Sequence, residues 1–252
     1  MNNPTQQLQD ILSLQHICPD VIVLKKTTGS TNDDVKALIQ QGITTALVCS
    51  ESQTLGRGQH QREWKSPQGN IYFSCIVNTQ VPIDGRLALE AALNLMHMPC
   101  IEHLDLQIKW PNDLYSQQGK WGGILVEPIH LHQAVIGVGI NVFPHTELHA
   151  LDQAATSLTQ LTQLHLSRVE LIAEIYQALH QAQQWFNHGS QQLAARFNRL
   201  ALFKDQYVTF EHIQGIHEGI FLGIQNDGAV IIAQEQQQQT FYQGRLRLIS
   251  SE

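Results

Sequence analysis

A long polar loop, GRGQHQREWKSPQG at residues 56–69, separates two apolar segments of this chain. The segments at 45–50 and 70–77 have the apolar, β-branched and aromatic content of buried strands. A connection of this length is too long for a simple hairpin, and long loops in compact domains are commonly functional or disordered. The sequence therefore predicts two buried strands with a functional loop between them.

The composition of this loop favours binding of an anion. Gly56 and Gly58 lack a β-carbon, so the backbone there can fold closely around a ligand and direct N–H groups at it. Arg57, Arg62 and Lys65 add positive charge that suits a carboxylate or a phosphate. Taken alone, Gly-Arg-Gly is more typical of a solvated surface loop, so the interpretation depends on motifs elsewhere in the chain.

The overall composition excludes several classes of protein. A net charge of −7 argues against a general nucleic-acid binder, and the first 20 residues are too few for a helix-turn-helix domain, so we expect no DNA partner. No apolar run approaches the roughly 20 residues that span a bilayer, so we expect no membrane partner. The N-terminus lacks a secretory signal, and the four cysteines include no Cys-x-x-Cys pair. These features favour a cytoplasmic protein with reduced thiols.

Hydrophobic periodicity predicts a main domain of helices and strands, followed from about residue 202 by a small β-barrel. Helices are expected at 4–16, from 30–32 to about 42, and at 86–98, 152–164, 168–187 and 190–200. Strands are expected at 21–24, 45–50, 70–77, 106–110, 120–127 and 133–142, with five shorter ones after 202. Residues 236–239 are predicted to form an exposed loop.

Five polar motifs fall at strand ends or helix starts. They read GSTN at 29–32, GRGQHQREWKSPQGN at 56–70, KWPNDL at 109–114, GKWGGILVE at 119–127 and GVGINV at 137–142. In this order and spacing they resemble the biotin protein ligases, also called biotin–acetyl-CoA-carboxylase ligases. The resemblance covers nearly all of residues 25–145, and the closing strands resemble the SH3-like β-barrel of that family. It implies an α+β fold with a mixed-sheet catalytic domain over residues 1–201 and the SH3-like barrel over 202–252.

The resemblance implies a two-step reaction with biotin and ATP as substrates, assisted by Mg²⁺. The carboxylate of biotin attacks the α-phosphate of ATP, which gives biotinyl-adenylate and pyrophosphate. A lysine of the biotin carboxyl carrier domain of acetyl-CoA carboxylase then attacks the mixed anhydride. Neither step needs a protein nucleophile, so the site must supply positioning and fixed positive charge. The resemblance also allows a homodimer through an exposed sheet edge.

The resemblance assigns roles to residues within the motifs. Arg57 and Lys120 are expected to be catalytic, because their charges would lie where the carboxyl group meets the α-phosphate. The expected biotin-binding residues are Ser30, Thr31, Asn32, Gln53, Gly56, Arg57, Gly58, Gln59, Lys120 and Gly122. The expected ATP-binding residues are Arg57, Trp64, Lys109, Asn112, Asp113 and Asn141. Asp113 is expected to orient either Mg²⁺ or the incoming lysine.

One stretch departs from the commonest loop of the family, which reads Gly-Arg-Gly-Arg-Arg-Gly-Arg. This chain has Gln59, His60 and Gln61 at the corresponding positions, so the second arginine is missing. In the family that arginine helps the loop to retain the adenylate. The substitution predicts that the intermediate escapes more readily here unless His60 or Arg62 compensates.

Two other functions are compatible with the same motifs. Lipoate ligases and octanoyl transferases belong to the same superfamily, but the Gly-Arg-Gly loop and Lys-Trp-Pro-Asn-Asp favour biotin. A non-catalytic module that senses biotin would also keep a pocket. The presence of both Arg57 and Lys120 argues against such a module, because binding alone does not require both charges.

Overall fold

A computed structural model describes residues 3–146, 154–234 and 237–249 of the protein. Two β-sheets organise these residues. The larger sheet is mixed and has seven strands, whereas the smaller sheet is antiparallel and has five. This arrangement confirms the predicted α+β class with a mixed sheet.

The helices and strands follow the predicted order closely. The helices are α1 Pro4–Leu14, α2 Thr31–Gln40, α3 Arg86–Met96, α4 Leu158–Leu161, α5 Arg168–Asn187 and α6 Leu193–Asn198. The strands of the larger sheet are β1 Val21–Thr28, β2 Ala46–Gln53, β3 Ile71–Asn78, β4 Leu106–Lys109, β5 Asp113–Ser116, β6 Gly119–His130 and β7 Gln133–Ile140. Those of the smaller sheet are β8 Tyr207–His212, β9 Gly215–Ile224, β10 Val230–Gln234, β11 Gln237–Phe241 and β12 Arg245–Leu248.

The larger sheet has the order β1-β2-β3-β7-β6-β5-β4, which places the longest hairpin, β6–β7, near its centre. Helices cover both of its faces, so the central strands are apolar along most of their length rather than alternating. Helix α2 lies on one face, where Val35 packs with Ala46, Val48 and Val135. Helices α1, α3 and α5 lie on the other face, over the main core.

Helix α5, the longest in the described part of the chain, begins at a capping box. The Ser167 hydroxyl accepts a hydrogen bond from the Glu170 backbone N–H at 3.3 Å, and Glu170 Oε2 accepts one from the Ser167 N–H at 2.6 Å. This exchange satisfies two backbone donors that the first turn would otherwise leave without partners. Apolar residues such as Ile172, Ile175 and Leu179 then bury one face of the helix against the core.

The smaller sheet packs against the C-terminal end of strand β4. The Trp110 indole Nε1 donates a hydrogen bond to the Gly228 carbonyl oxygen at 3.1 Å, and its ring centroid lies 5.9 Å from that of Phe210. The backbone of Ile224 is held by the Asn198 side chain, which accepts from its N–H at 2.8 Å. These contacts bring the β8–β9 turn beside the polar strand ends of the larger sheet.

Two sequence-based predictions differ from the structure. Helix α4 is a single turn, much shorter than the predicted 152–164, of which residues 152–153 lie outside the described part. The residues Gln237–Gln239, predicted as a loop, belong to β11 because their backbone pairs with β10 while their side chains stay largely exposed. Residue 236 lies outside the described ranges. The described pairings establish an antiparallel sheet and leave the SH3-like barrel as a prediction.

No helix in the described part of the chain is both long enough and apolar enough to span a membrane.

Replacing Arg196 with alanine is expected to lower the free energy of unfolding by about 3 kcal/mol, because the change leaves a buried carboxylate without its cation. Arg196 Nη1 and Nη2 bind the carboxylate of Glu90, whose side chain is 0% exposed, at 2.9 and 2.5 Å. Urea unfolding measures the loss. The exposed Arg199→Ala serves as the control and should change stability by less than about 0.5 kcal/mol. Equal effects of the two substitutions would contradict this prediction.

Candidate functional site

A cavity of about 840 Å³ opens where the two sheets meet. Its walls come from the start of α2, the loop between β2 and β3, the ends of strands β4 to β7, and the β8–β9 and β11–β12 turns. The predicted site residues that line it are Ser30, Thr31, Asn32, Gln53, Arg57, Gly58, Gln59, Trp64, Lys109, Asn112, Asp113, Lys120 and Asn141. The structure thus gathers the five sequence motifs around one cavity.

The other two predicted residues, Gly56 and Gly122, lie behind the cavity wall. A β-carbon at Gly56 would lie 2.6 Å from the Trp64 carbonyl oxygen, and one at Gly122 would lie 3.0 Å from the Gly139 carbonyl oxygen. These glycines therefore permit close packing of the backbone rather than facing the cavity. Gly123, the neighbour of Gly122, lines the cavity in its place.

The loop between β2 and β3 is folded into a narrow ribbon. The Gly58 N–H donates to the Arg62 carbonyl at 2.8 Å, and the Trp64 N–H donates to the Gly56 carbonyl at 3.0 Å. A short 3₁₀ turn over Gln59–Gln61 reverses the chain between them. His60 there has a φ of 55°, a left-handed conformation that is strained for a residue with a side chain. The ribbon holds the guanidinium of Arg57 in the cavity wall.

Arg57 lies between two carboxylates. Its Nη2 donates to Asp33 Oδ1 at 2.6 Å and to Glu127 Oε2 at 3.0 Å, while its Nη1 donates to Asp33 Oδ2 at 2.8 Å and to the Ser30 hydroxyl at 3.2 Å. The hydrogen bonds from Arg57 hold the pKa of Asp33 below its usual range, and the two carboxylates raise the pKa of Arg57. The guanidinium therefore stays charged at any pH at which the protein is folded.

Glu127 is the inner of the two carboxylates. Its Oε2 accepts a hydrogen bond from Asn32 Nδ2 at 2.6 Å, and its Oε1 lies 3.0 Å from Lys36 Nζ. Burial alone would raise the pKa of Glu127, but the hydrogen bonds from Asn32 and Lys36 and the charge of Arg57 lower it. Glu127 is thus an ionised carboxylate that connects Arg57 of the loop with Asn32 at the start of α2.

Buried hydroxyl and amide groups continue from this cluster into the cavity. The Ser74 hydroxyl lies 2.7 Å from the Thr31 hydroxyl and 2.6 Å from Asn32 Oδ1. The Thr31 N–H donates to Gln53 Oε1 at 2.9 Å. Thr31 and Asn32 are in the first turn of α2, which places this polar group at the positive end of a helix. Such an array suits a neutral ligand that has both donors and acceptors.

Lys120 lies on the opposite side of the cavity, at the start of β6. Its Nζ is 2.7 Å from Asp113 Oδ1 and 4.9 Å from the centre of the Trp64 ring. A cation over an indole face is favourable because the ring carries negative charge on its faces. The indole Nε1 of Trp64 is buried and has no hydrogen-bond partner among the described residues. Lys120, Asp113 and Trp64 therefore form one side of the site.

Trp64 rests on two glycines of the central hairpin. A β-carbon at Gly139 would lie 2.7 Å from the indole ring, and one at Gly123 would lie 3.0 Å from it. The absence of side chains at these two positions of β6 and β7 thus provides the space for the ring. On β7, the absence of a side chain at Gly137 likewise provides space for the side chain of Asn32. The glycines of the GVGINV motif therefore give β7 a flat surface, against which the loop and the start of α2 both pack.

Lys109 is the least solvated cation of the cavity. Its Nζ lies 5.7 Å from the ring centre of Tyr115 and 5.8 Å from that of Phe203. Burial lowers the pKa of Lys109 to about 8; the charge of Asp113 opposes this shift, and the charges of Arg245 and Lys120 add to it. Lys109 therefore loses its proton as the pH rises through about 8, unless a bound anion stabilises its charge.

Two asparagines complete the far end of the cavity. Asn112 donates from Nδ2 to the Ile124 carbonyl oxygen, and Asn141 donates from Nδ2 to the Thr156 carbonyl at 3.1 Å. Asn141 Oδ1 and Thr156 Oγ1 are buried and have no partner in the described part of the chain. A buried acceptor without a partner is costly, so Asn141 Oδ1 is suited to accept a hydrogen bond from a ligand.

Several residues of the site are not among the sequence predictions. Asp33 and Glu127 bind Arg57, and Ser74 links Thr31 to Asn32, as described above. Asp33 directly follows the GSTN motif, and Glu127 is the last residue of the GKWGGILVE motif. These acidic residues were the sequence signal that could have indicated partners for Arg57. The smaller sheet adds Glu211, His212, Ile213, Gln243, Gly244 and Arg245 to the lining. Nothing in the sequence indicated these, because their position depends on how that sheet docks.

The site does not contain a ready-made cage for a metal ion. Among the described residues, no group of three or more His, Cys, Asp or Glu side chains is arranged to hold one. Asp113, which the resemblance assigns either to Mg²⁺ or to the incoming lysine, is paired with Lys120. Nucleotide enzymes usually bind Mg²⁺ through one or two carboxylates together with the phosphates of the substrate. Asp113 fits that pattern as a single ligand.

Comparison with known proteins identifies the family. Residues 23–141 match the model of the biotin/lipoate A/B protein ligase family. The chain is 33% identical over 186 residues to the biotin–[acetyl-CoA-carboxylase] ligase of Mycobacterium tuberculosis, covering 69% of this chain and 68% of that protein. It is 27% identical over 213 residues to the bifunctional ligase/repressor BirA of Bacillus spizizenii, covering 80% of this chain and 66% of that protein. The chain thus spans about two thirds of the length of these relatives.

A solved structure supports the same fold. The biotin protein ligase of Aquifex aeolicus, determined in complex with biotin and ATP, superposes with a TM-score of 0.74 at 23% identity. The superposition covers 92% of this chain and 100% of that one, so it includes both sheets. The match to the family model and the 33% identity to the Mycobacterium tuberculosis ligase show that the chain belongs to the biotin/lipoate A/B protein ligase family and, within it, to the biotin protein ligases.

Proposed function

We propose that this cavity activates biotin with ATP and transfers it to a lysine of the biotin carboxyl carrier domain of acetyl-CoA carboxylase. The observation that carries the proposal is the pair of cations, Arg57 and Lys120, which face one cavity beside buried polar groups that suit a neutral ring. The relatives named for this activity, and the neighbour determined with biotin and ATP, support it.

The polar array at the start of α2 is the proposed site for the ureido ring of biotin. That ring is neutral and carries N–H donors and a carbonyl acceptor. Thr31, Gln53 and Ser74 offer hydroxyl and amide groups of both kinds within a few ångströms of each other. Burying this ring is favourable only if its polar groups find partners, which these side chains supply.

Arg57 and Lys120 are the proposed catalytic residues of the first step. In that step a carboxylate oxygen of biotin forms a bond to the α-phosphorus, and the bond from this phosphorus to pyrophosphate breaks. Two anionic groups must approach each other, so fixed cations on both sides lower the barrier. The guanidinium and the ammonium group are already positioned by Glu127 and Asp113 before any substrate binds.

The second step places a neutral lysine amine of the carrier domain on the carbonyl carbon of the adenylate. A carbon–nitrogen bond forms, the carbon–oxygen bond breaks, and AMP leaves with the bonding electrons. As the bond forms, the amine nitrogen releases a proton to solvent water, and we assign the orientation of the amine to Asp113, the carboxylate beside Lys120. Lys109, Asn112, Asn141 and Trp64 are the proposed contacts of the nucleotide. A Mg²⁺ ion carried on the phosphates, with Asp113 as its protein ligand, would neutralise part of their charge.

The remaining features of the proposal follow from the family. The smaller sheet is proposed to be an SH3-like barrel that forms its own domain over residues 202–252, after a catalytic domain over 1–201. Strand β1 is an outer strand of the larger sheet and offers an edge for a homodimer. The four cysteines are free thiols, which suits a cytoplasmic location.

Exchange between pyrophosphate and ATP that depends on biotin is expected for the wild-type protein. Arg57→Ala and Lys120→Ala are each expected to reduce it by about a hundredfold or more, because each removes a cation from the reacting groups. Lys26→Ala and Arg199→Ala remove exposed cations and serve as controls that should retain the wild-type rate. Lipoate replaces biotin in a parallel assay.

Two results would contradict the proposal. Exchange with lipoate but not with biotin would assign the chain to the other branch of the family. Exchange with biotin that survives both Arg57→Ala and Lys120→Ala would show that these residues are not catalytic.

The value of kcat/KM for ATP is expected to fall as the pH rises through about 8. This parameter reports the free enzyme, in which burial lowers the pKa of Lys109, so the cation is progressively lost above that pH. Lys109→Arg keeps its charge and should move the fall to higher pH. A fall at the same pH in both proteins would assign it to another group.

Gln59→Arg is expected to slow the escape of the adenylate by about tenfold, the factor that corresponds to about 1.4 kcal/mol. Gln59 lines the cavity, so an arginine there would add a charged donor for the phosphate. The loss of preformed labelled adenylate during a chase with unlabelled biotin and ATP measures the rate. Gln61→Arg adds the same charge two residues further along the 3₁₀ turn and is the control. Equal rates for Gln59→Arg and the wild type would contradict the prediction.

A further inference from the structure

The hydrogen bonds of Arg57 leave little capacity for a substrate. Nη1 donates to Ser30 and Asp33, and Nη2 donates to Asp33 and Glu127, so each Nη hydrogen already has an acceptor. The guanidinium fork that binds a carboxylate or phosphate through two parallel hydrogen bonds is occupied by the carboxylate of Asp33. An anionic substrate group can make such a pair only if one present acceptor leaves.

The two carboxylates on Arg57 differ in how firmly they are held. The Glu127 side chain is 20% exposed, and Asn32 and Lys36 bind it in addition to Arg57. The Asp33 side chain is 55% exposed, and its described hydrogen bonds all go to Arg57. When Asp33 leaves, water can solvate its carboxylate at once. Asp33 is therefore the acceptor that an anionic group of the substrate would displace from Arg57.

We propose that Asp33 competes with the anionic group of the substrate for the fork of Arg57 and thereby sets the affinity of the site. This inference rests on the proposed function, in which that group is the biotin carboxylate or a phosphate of ATP. In the free protein Asp33 keeps the guanidinium oriented and its charge balanced. On binding, one carboxylate is exchanged for another anion, so no cation is left without a counter-charge.

Asp33→Asn is the informative substitution, because it keeps the size of the side chain and removes its charge. The expected result is a dissociation constant about two- to fivefold lower for the anion that uses the fork, as befits an exposed ion pair. Asp34→Asn is the matched control. Asp34 is the next residue of the same helix turn, but it binds Lys25 at 2.8 Å and Thr28 at 2.7 Å instead of Arg57.

Calorimetric titration of wild type and both variants with four ligands tests the proposal. Biotin and biotinamide share the ring and differ in the carboxylate, whereas ATP and adenosine differ in the phosphates. Tighter binding of biotin but not of biotinamide by Asp33→Asn assigns the competition to the carboxylate. Tighter binding of ATP but not of adenosine assigns it to the phosphates. Asp33→Ser, which also suits a first helix turn, replaces Asp33→Asn if that variant does not fold.

Other outcomes overturn the inference. Unchanged or weaker binding of both biotin and ATP would mean that Asp33 orients Arg57 and does not compete. Equal tightening of the neutral and the charged ligand, or the same effect in Asp34→Asn, would mean a general loosening of the site. Wild-type protein that binds neither biotin nor ATP would instead contradict the proposed function, and this inference would fall with it.

Discussion

The guanidinium of Arg57 joins three parts of the chain that are far apart in sequence. It belongs to the loop after β2, it binds Ser30 and Asp33 at the start of α2, and it binds Glu127 on β6. A half-buried cation requires counter-charges in its surroundings, and supplying them fixes the geometry of the site.

The central hairpin provides the surface against which this cluster is assembled. Its glycines allow Asn32 and Trp64 to approach the sheet more closely than side chains at those positions would permit. The cations on the two sides of the cavity, Arg57 and Lys120, are thus positioned by one pair of strands. Each cation is held by a carboxylate, and this pairing fixes its position at the surface of the cavity.

Much of this architecture can be predicted from local sequence patterns, because alternation and helical spacing report burial directly. The strands around the long loop and helix α5 are examples. The site was predicted in a different way, from the joint resemblance of five motifs to a known family. The partners of Arg57 could not be predicted in this way. Glu127 is 70 residues away in sequence, and its contact depends on strand order. Arg245 reaches the cavity only because the smaller sheet docks there. The strand at Gln237–Gln239 could not be predicted because its side chains are all polar and show no alternation with apolar residues.

The position of Trp64 also affects the solvation of the cavity. The indole covers two residues that have no side chains of their own, so lifting the loop would expose bare backbone of Gly123 and Gly139 to water. The indole ring therefore shields these strand residues from water, so the position of one side chain sets both the solvation and the shape of this part of the cavity.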